Sequence, residues 1–361
     1  MKNAAHHWNP LKAALLAASV LFAGVAKAQH TDVAEGGYDQ EKKEFNAGEL
    51  IMEHIGDSHD WHIVGHTHLP LPVIVHQTGT GWHFFSSASL HEGAVHEGFA
   101  LHENQIVAKD ATGEWSRAGI LDLSITKNAA SMLLAVTFLL LIFISVARAY
   151  ARREGQAPKG LQSFLEPVIL FVRDDIAKSA IGEKHYRKYL PYLLTLFFFI
   201  WVNNLMGLIP IFPFGSNVTG NIAIPLVLAT ITFLIVTVKA NWHYWRHMLA
   251  MPGIPVAVLV ILTPIEIIGH FVRPFVLMVR LFANIMAGHI VLLVFFCLIF
   301  IFGKNGESLI GGYVTAPFAI AFTIFVNCLE LLVAALQAYV FTLLTSMYIG
   351  TAIAGGHDDH H

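Results

Sequence analysis

Leu277-Met278-Val279-Arg280-Leu281-Phe282-Ala283-Asn284-Ile285-Met286-Ala287-Gly288-His289 sets an arginine, an amide and an imidazole inside an apolar run that extends from residue 254 to 302. An arginine near the centre of a bilayer costs about 2.5–3.5 kcal/mol on insertion scales, so an intramembrane charge is a functional candidate by default. The same run also carries Glu266, His270 and Arg273. A second apolar stretch, Val314 to Ala354, has Glu330 as its one charge. At roughly 1.5 Å per residue either stretch, kept helical, measures about 60–75 Å, around twice the hydrocarbon thickness. Each is therefore expected to break, to re-enter, or to lie strongly tilted. Pro255, Pro264 and Pro274 are the candidate bends.

Outward from these two stretches, composition agrees. Hydrophobic residues fill 55% of 361 positions and charged residues 13%, against roughly 25% charged in an average soluble domain. Asn128 to Ala147 is uncharged and long enough for one upright span. Behind it crowd Arg148, Arg152, Arg153, Lys159, Arg173, Lys178, Lys184, Arg187 and Lys188, which marks that segment as cytoplasmic. Tyr189 to Val238 is too long for one span and is divided by the connector Phe212–Asn221, so it reads as two helices joined by an extracytoplasmic loop. Lys239 and Arg246 return the chain to the cytoplasmic side. The fold class is an all-α polytopic membrane protein with about five membrane helices, the last two long and tilted.

Ahead of the membrane part, residues 1–28 combine a basic start, the apolar stretch Ala13–Val25 and Ala26-Lys27-Ala28, the pattern of a secretory signal peptide cut before Gln29. The alternative, an uncleaved first span, needs about 20 apolar residues. The formal charge of −3 grows more negative once a leader with Lys2, Lys12 and Lys27 is removed, which predicts no nucleic-acid partner. Residues 29–125 form a histidine-rich, extracytoplasmic region, and the membrane domain is 126–361. Trp61–Val64, Leu71–Val75 and Trp82–Phe85, with Gly-Thr-Gly at 79–81, read as short strands and a hairpin turn, so this region is expected to be a small β-rich domain. Its eleven histidines are densest at His59, His62, His66 and His68. Metal sites need three or four convergent ligands, and alternation along a strand sends these side chains to both faces. A solvated histidine-rich surface is therefore the reading adopted, with no metal and no cofactor. Cys297 and Cys328 lie in apolar runs and read as small hydrophobes. The terminal His-Asp-Asp-His-His reads as a solvated tail.

On a helical wheel Glu266, His270, Arg273, Leu277, Arg280 and Asn284 share one face, at spacings of four, three, four, three and four. Glu266 and Arg273 also suit an interfacial, snorkelling role. Thr323, Asn327, Glu330, Gln337, Thr345 and Tyr348 make a second polar stripe on the last helix. A lone carboxylate in an apolar helix is a candidate proton carrier, and histidine is the side-chain type that exchanges protons near neutrality. His289 stands nine residues past Arg280, about half a turn from its face. If the two helices pack antiparallel, His289 and Glu330 meet in a cleft separate from where Arg280 points.

Arg280-Leu281-Phe282-Ala283-Asn284-Ile285-Met286-Ala287-Gly288-His289 resembles the signature of subunit a of F-type ATP synthases. Leu336-Gln337-Ala338-Tyr339-Val340-Phe341 resembles its second signature, and Asn204-Leu205-Met206-Gly207-Leu208-Ile209-Pro210 a third. The resemblance covers about 128–354. It implies five membrane segments, the last two curving along a ring of c subunits, with Arg280 facing the ring carboxylates and Asn284 and Gln337 near it. His289 and Glu330 match positions that hold an acid and a histidine in some relatives, here exchanged, in the entry path; Glu266 matches an acid of the exit path. It further implies a non-catalytic stator in a bacterial inner membrane, with the N-terminal domain periplasmic and the C-terminus cytoplasmic. Its partners would be the c ring, the peripheral-stalk b subunits, the rest of the synthase and membrane lipid. Two rivals remain open on the residues alone. A divalent-metal transporter would use Glu266 and His270, although Arg280 on the same face raises the barrier to a second cation. A metal-sensing or adhesive outer domain on a passive anchor leaves the polar stripes unexplained.

Overall fold

The computed structural model describes residues 55–64, 67–102, 104–109, 113–209, 214–249, 253–303 and 309–354, with Gly48, Ile51 and Met251. The signal peptide, the acidic stretch that follows it, the side chains of His62 and His66, and the C-terminal tail lie outside the described residues.

The N-terminal part is β-rich, built of short antiparallel strands in which alternate residues turn inward. These are β1 (Asp60–Val64) and β2 (Thr67–Pro70), β3 (Pro72–Gln77) and β4 (Gly81–Ser86), then β5 (Phe99–His102), β6 (Gln105–Lys109), β7 (Trp115–Ser116) and β8 (Ile120–Asp122). β1 pairs with β2, β3 lies between β4 and β8, and β6 between β5 and β7. The expected hairpin is in register, with Gln77 opposite Gly81 and Pro72 opposite Ser86. Val73, Val75, Leu90, Phe99, Ile106 and Ala108 form its buried core.

The chain leaves β8 and enters the first helix, α1 (Lys127–Arg152). A helix start leaves backbone N–H groups without partners. Here the Thr126 hydroxyl accepts from Ala129 N, Asp57 Oδ1 accepts from Asn128 N at 3.1 Å, and the Ser58 carbonyl accepts from Lys127 N at 2.8 Å. The β-rich part is thereby tied to the first turn of α1. There follow α2 (Leu161–Phe171), a π-helical turn Val172–Lys178, a last turn Ser179–Ile181, α3 (Tyr186–Leu208), α4 (Ala223–Lys239), α5 (Trp242–Leu249), α6 (Val256–Phe302) and α7 (Leu309–Ile353). Among the described residues α1, α3, α6 and α7 are long and apolar enough to cross a bilayer, and α4 with α5, which meet at 100°, make a fifth candidate.

Both final stretches are single helices. α6 runs for 47 residues through Pro264 and Pro274 without interruption, and α7 for 45 through Pro317. Of the three options left open by length, breakage is therefore excluded. The two pack as an antiparallel pair against α3 and α4. Polarity is inverted relative to a soluble protein: Asn203, Asn204, Thr219, Thr232, Glu330, Gln337, Thr345 and Ser346 are buried while Phe138, Phe275, Phe318 and Leu332 are exposed. Such a surface suits hydrocarbon, where exposed polar groups are the costly ones. The connector between α3 and α4 is not a solvated loop: Ser216, Asn217, Val218 and Thr219 are all buried. In the basic segment 148–188 the π turn and the turn Ser179–Ile181 pack on the C-terminal end of α7, where Ser346 Oγ donates to the Ile176 carbonyl at 3.1 Å.

Candidate functional site

The α6–α7 seam carries the polar residues singled out from the sequence. Asn284 Nδ2 donates to Gln337 Oε1 at 3.0 Å, joining the two helices. One turn farther along α6, Gly288 lies directly under Glu330 of α7. A β-carbon built at Gly288 would fall inside the Glu330 carboxylate, so a side chain there and Glu330 in its present position are mutually exclusive. Glu330 itself is 6% exposed.

His289, the next residue, turns toward α3. Its Nε2 lies 3.5 Å from where a β-carbon of Gly207 would stand, and the Ser216 carbonyl lies 3.4 Å from the same point. The glycine in the stretch Asn204–Pro210 thus leaves room for the imidazole. Asn204, one turn earlier on α3, donates to the Ala334 carbonyl of α7 at 3.3 Å and accepts from the Thr219 hydroxyl at 2.7 Å. Glu330 of α7 thus lies over Gly288, and the next residue of α6, His289, lies against Gly207 of α3 near the buried connector. Asn204 and Thr219 complete this polar junction. Asn204 was visible within a quoted motif; Thr219 was not, because a threonine in a glycine- and asparagine-rich connector carries no periodic signal.

Arg280 is half-buried. Among the described residues no hydrogen bond or ion pair reaches its guanidinium. The other charges of the α6 stripe do find partners. Arg273 Nη2 is 3.9 Å from Glu266 Oε2 and its guanidinium lies 5.8 Å from the ring centre of Tyr348. His270, 5% exposed, has Nδ1 3.0 Å from the Tyr244 hydroxyl of α5 and Nε2 3.1 Å from Thr237 Oγ1 of α4. The wheel face is one stripe on α6 that meets different neighbours along its length. Glu266 and His270 point to different partners and do not converge as ligands. Thr345, singled out in the sequence, belongs to a buried hydroxyl series whose other members were not: Tyr192 Oη is 2.9 Å from Thr232 Oγ1, which is 3.5 Å from Thr345 Oγ1.

In the β-rich part the histidines pair with acids individually: His59 with Asp122 at 3.0 Å, His83 with Glu97 at 2.8 Å and His91 with Asp60 at 3.4 Å. Among the described residues no group of three or more His, Cys, Asp or Glu side chains is arranged to hold a metal ion. Cys297 is buried and Cys328 exposed, both unbridged.

Comparison with known proteins places this geometry. The family described as ATP synthase A chain matches residues 129–350, and a domain of unknown function matches residues 50–126. The chain is 37% identical over 347 residues to ATP synthase subunit a 2 of Prosthecochloris aestuarii, covering 93% of this chain and 87% of that one. It is 36% identical over 346 residues to ATP synthase subunit a of a Chlorobium phaeobacteroides strain, with 93% and 85% covered. Against ATP synthase subunit a of Chloroherpeton thalassium the identity is 42% over 246 residues, with 67% and 70% covered. Alignments spanning 93% of the chain reach past the membrane helices into the β-rich part, so the likeness is wider than the 128–354 expected from motifs.

Proposed function

The chain belongs to the ATP synthase A chain family, and on that premise we propose that it is the proton-conducting stator of an F-type synthase, working against a ring of c subunits. The observation that carries this is Arg280. A fixed guanidinium on an apolar helix, without a counter-charge among the described residues of its own chain, calls for one on another chain. A ring of carboxylates passing that face would supply it. Asn284 and Gln337, already bonded to each other, flank the position without neutralising it.

In this reading protons enter at the junction of His289 and Glu330, with Asn204 and Thr219 lining the approach. They pass to a ring carboxylate, which once neutral turns into lipid at tolerable cost. Arg280 favours the deprotonated carboxylate on its return and blocks a direct leak. The proton leaves past Arg273 and Glu266. Each proton crossing 100 mV yields about 2.3 kcal/mol, so several are gathered per ATP. The subunit makes and breaks no covalent bond of ATP itself. Residues 1–28 act as a cleaved leader, 29–125 as a periplasmic domain and 126–361 as the membrane domain of a bacterial inner-membrane complex. The C-terminus is cytoplasmic, and the b subunits of the peripheral stalk are partners of the chain.

The test is coupled ATP synthesis by the reconstituted complex carrying Arg280→Ala. Assembly with the c ring is expected, with synthesis lost and proton leak raised. Synthesis at close to the unmodified rate overturns the reading. Arg280→Lys should also fail largely, because a compact ammonium lacks the planar fork and sheds its charge more readily when desolvated.

A further inference from the structure

His270 stands where two cavities meet. One, small and about 10 Å³, is bordered by Thr232, Tyr244, Arg273 and Tyr348 as well as His270. The other, about 210 Å³, is bordered by Thr237, Trp245, Leu249 and Phe271 and again by His270. His270, with Phe233, borders both. Its two nitrogens address opposite sides, for the Nδ1 partner Tyr244 lines the first cavity and the Nε2 partner Thr237 lines the second. A buried structural histidine also takes a partner on each nitrogen, with close packing around the ring. This one has a hydroxyl on each nitrogen and open volume on each side.

We propose that His270 is a proton relay on the exit side of the membrane domain, passing protons between the cavity beside Arg273 and the cavity beneath α5. His270 precedes Arg280 by ten residues, about 15 Å along the helix axis, on the stripe that ends at Glu266. In a neutral imidazole one nitrogen bears hydrogen and the other is bare. A proton arriving through Tyr244 binds the bare nitrogen and makes an imidazolium; the proton on the opposite nitrogen then departs through Thr237. Return of the ring to its first tautomer together with rotation of the two hydroxyls resets the relay with no net gain or loss. Thr232 extends the first cavity toward Tyr192 and Thr345, which links it to the buried hydroxyl series.

This inference rests on the assignment of the chain as a proton-conducting stator, so the experiment separates the two. The whole complex is reconstituted in liposomes, and ATP-driven proton pumping and gradient-driven synthesis are measured for His270→Gln, His270→Ala and Arg280→Ala, with c-ring copurification as the measure of assembly. Glutamine accepts and donates one hydrogen bond on either side but cannot pass a proton through, so His270→Gln is expected to assemble and to slow both reactions about tenfold or more. Added imidazole, which fits the space left beside the 210 Å³ cavity, should restore His270→Ala with increasing concentration and leave Arg280→Ala inactive. An assembled His270→Gln working at the unmodified rate overturns the relay, as does an assembled, slowed His270→Ala that imidazole fails to restore. If His270→Ala does not assemble, the rate of His270→Gln decides alone. Normal coupling in Arg280→Ala would instead overturn the stator assignment.

Discussion

Glycine at 288 leaves the space that the Glu330 carboxylate of the neighbouring helix fills. In Gly288→Ala the new methyl competes with Glu330 for the same space, so Glu330 must rotate out of the junction or α7 must withdraw. Proton flux through the membrane sector stripped of its catalytic head should fall about tenfold or more while the c ring still copurifies. Flux equal to the unmodified sector would mean that the carboxylate's position is immaterial to entry. A second residue-scale consequence lies outside the bilayer. Burial works to raise the Asp122 carboxyl, but hydrogen bonds from His59 and Ser124 outweigh it and hold the group down at about 2, against an ordinary 3.8. The unfolded chain therefore binds this proton more tightly than the folded one, and stability rises with pH. The contribution is complete above about 3.8 and is lost as pH falls through about 2. Hydrogen-exchange protection of the β3 and β8 amides, taken relative to their intrinsic rates, should fall across that window and change less with pH in Asp122→Asn.

At the scale of elements, α6 and α7 are held together in an apolar seam by few polar contacts, of which Asn284 to Gln337 is one. Interhelical hydrogen bonds inside membranes are worth about 0.6 kcal/mol on average and up to about 1.7, because the separated helices find other partners. A double-mutant cycle of Asn284→Ala and Gln337→Ala should return a coupling in that range in the unfolding of the detergent-solubilised subunit. Zero coupling would make the amide pair a feature of the Arg280 surroundings and not a clasp. The unbroken course of α6 and α7 also has an elementary cause. A proline inside a helix removes one hydrogen bond and crowds the preceding turn, but long flanking apolar segments packed along α3, α4 and each other hold the axis continuous. Proline therefore marked possible bends without deciding them.

For the whole molecule, the β-rich part meets the membrane helices through the first turn of α1, and among the described residues neither Arg280 nor Glu330 makes a hydrogen bond or ion pair with it. Deleting 30–120 behind the leader is expected to leave coupled synthesis in vesicles at near the unmodified rate, because Thr126 still caps α1 after Asp57 is gone. Loss of transport in a fully assembled complex would place the domain in the entry path; loss of assembly would make it a docking element.

Residue type and spacing alone determined that the chain is a membrane protein, where its spans fall, and that Arg280, Asn284, His289, Glu330 and Gln337 are its exceptional side chains. Charge in an apolar run is expensive wherever it occurs, so it is legible without knowing what surrounds it. Only the tertiary structure decided which of those side chains meet. The wheel places Glu266, His270, Arg273, Arg280 and Asn284 on one face, yet the face meets α4 and α5 at His270 and α7 at Arg273 and Asn284, because helices of this length cross several neighbours. It also decided that residues 216–220 of the α3–α4 connector are buried and that Thr219, Thr232 and Tyr192 join the polar interior. Single hydroxyls in apolar helices are common, inexpensive and bonded in many ways, so their partners are fixed by packing and leave no mark in sequence. The seat of Glu330 on Gly288 is the same case: small residues at a helix crossing are read as close contact, but which side chain fills the gap depends on the register of two segments more than forty residues apart.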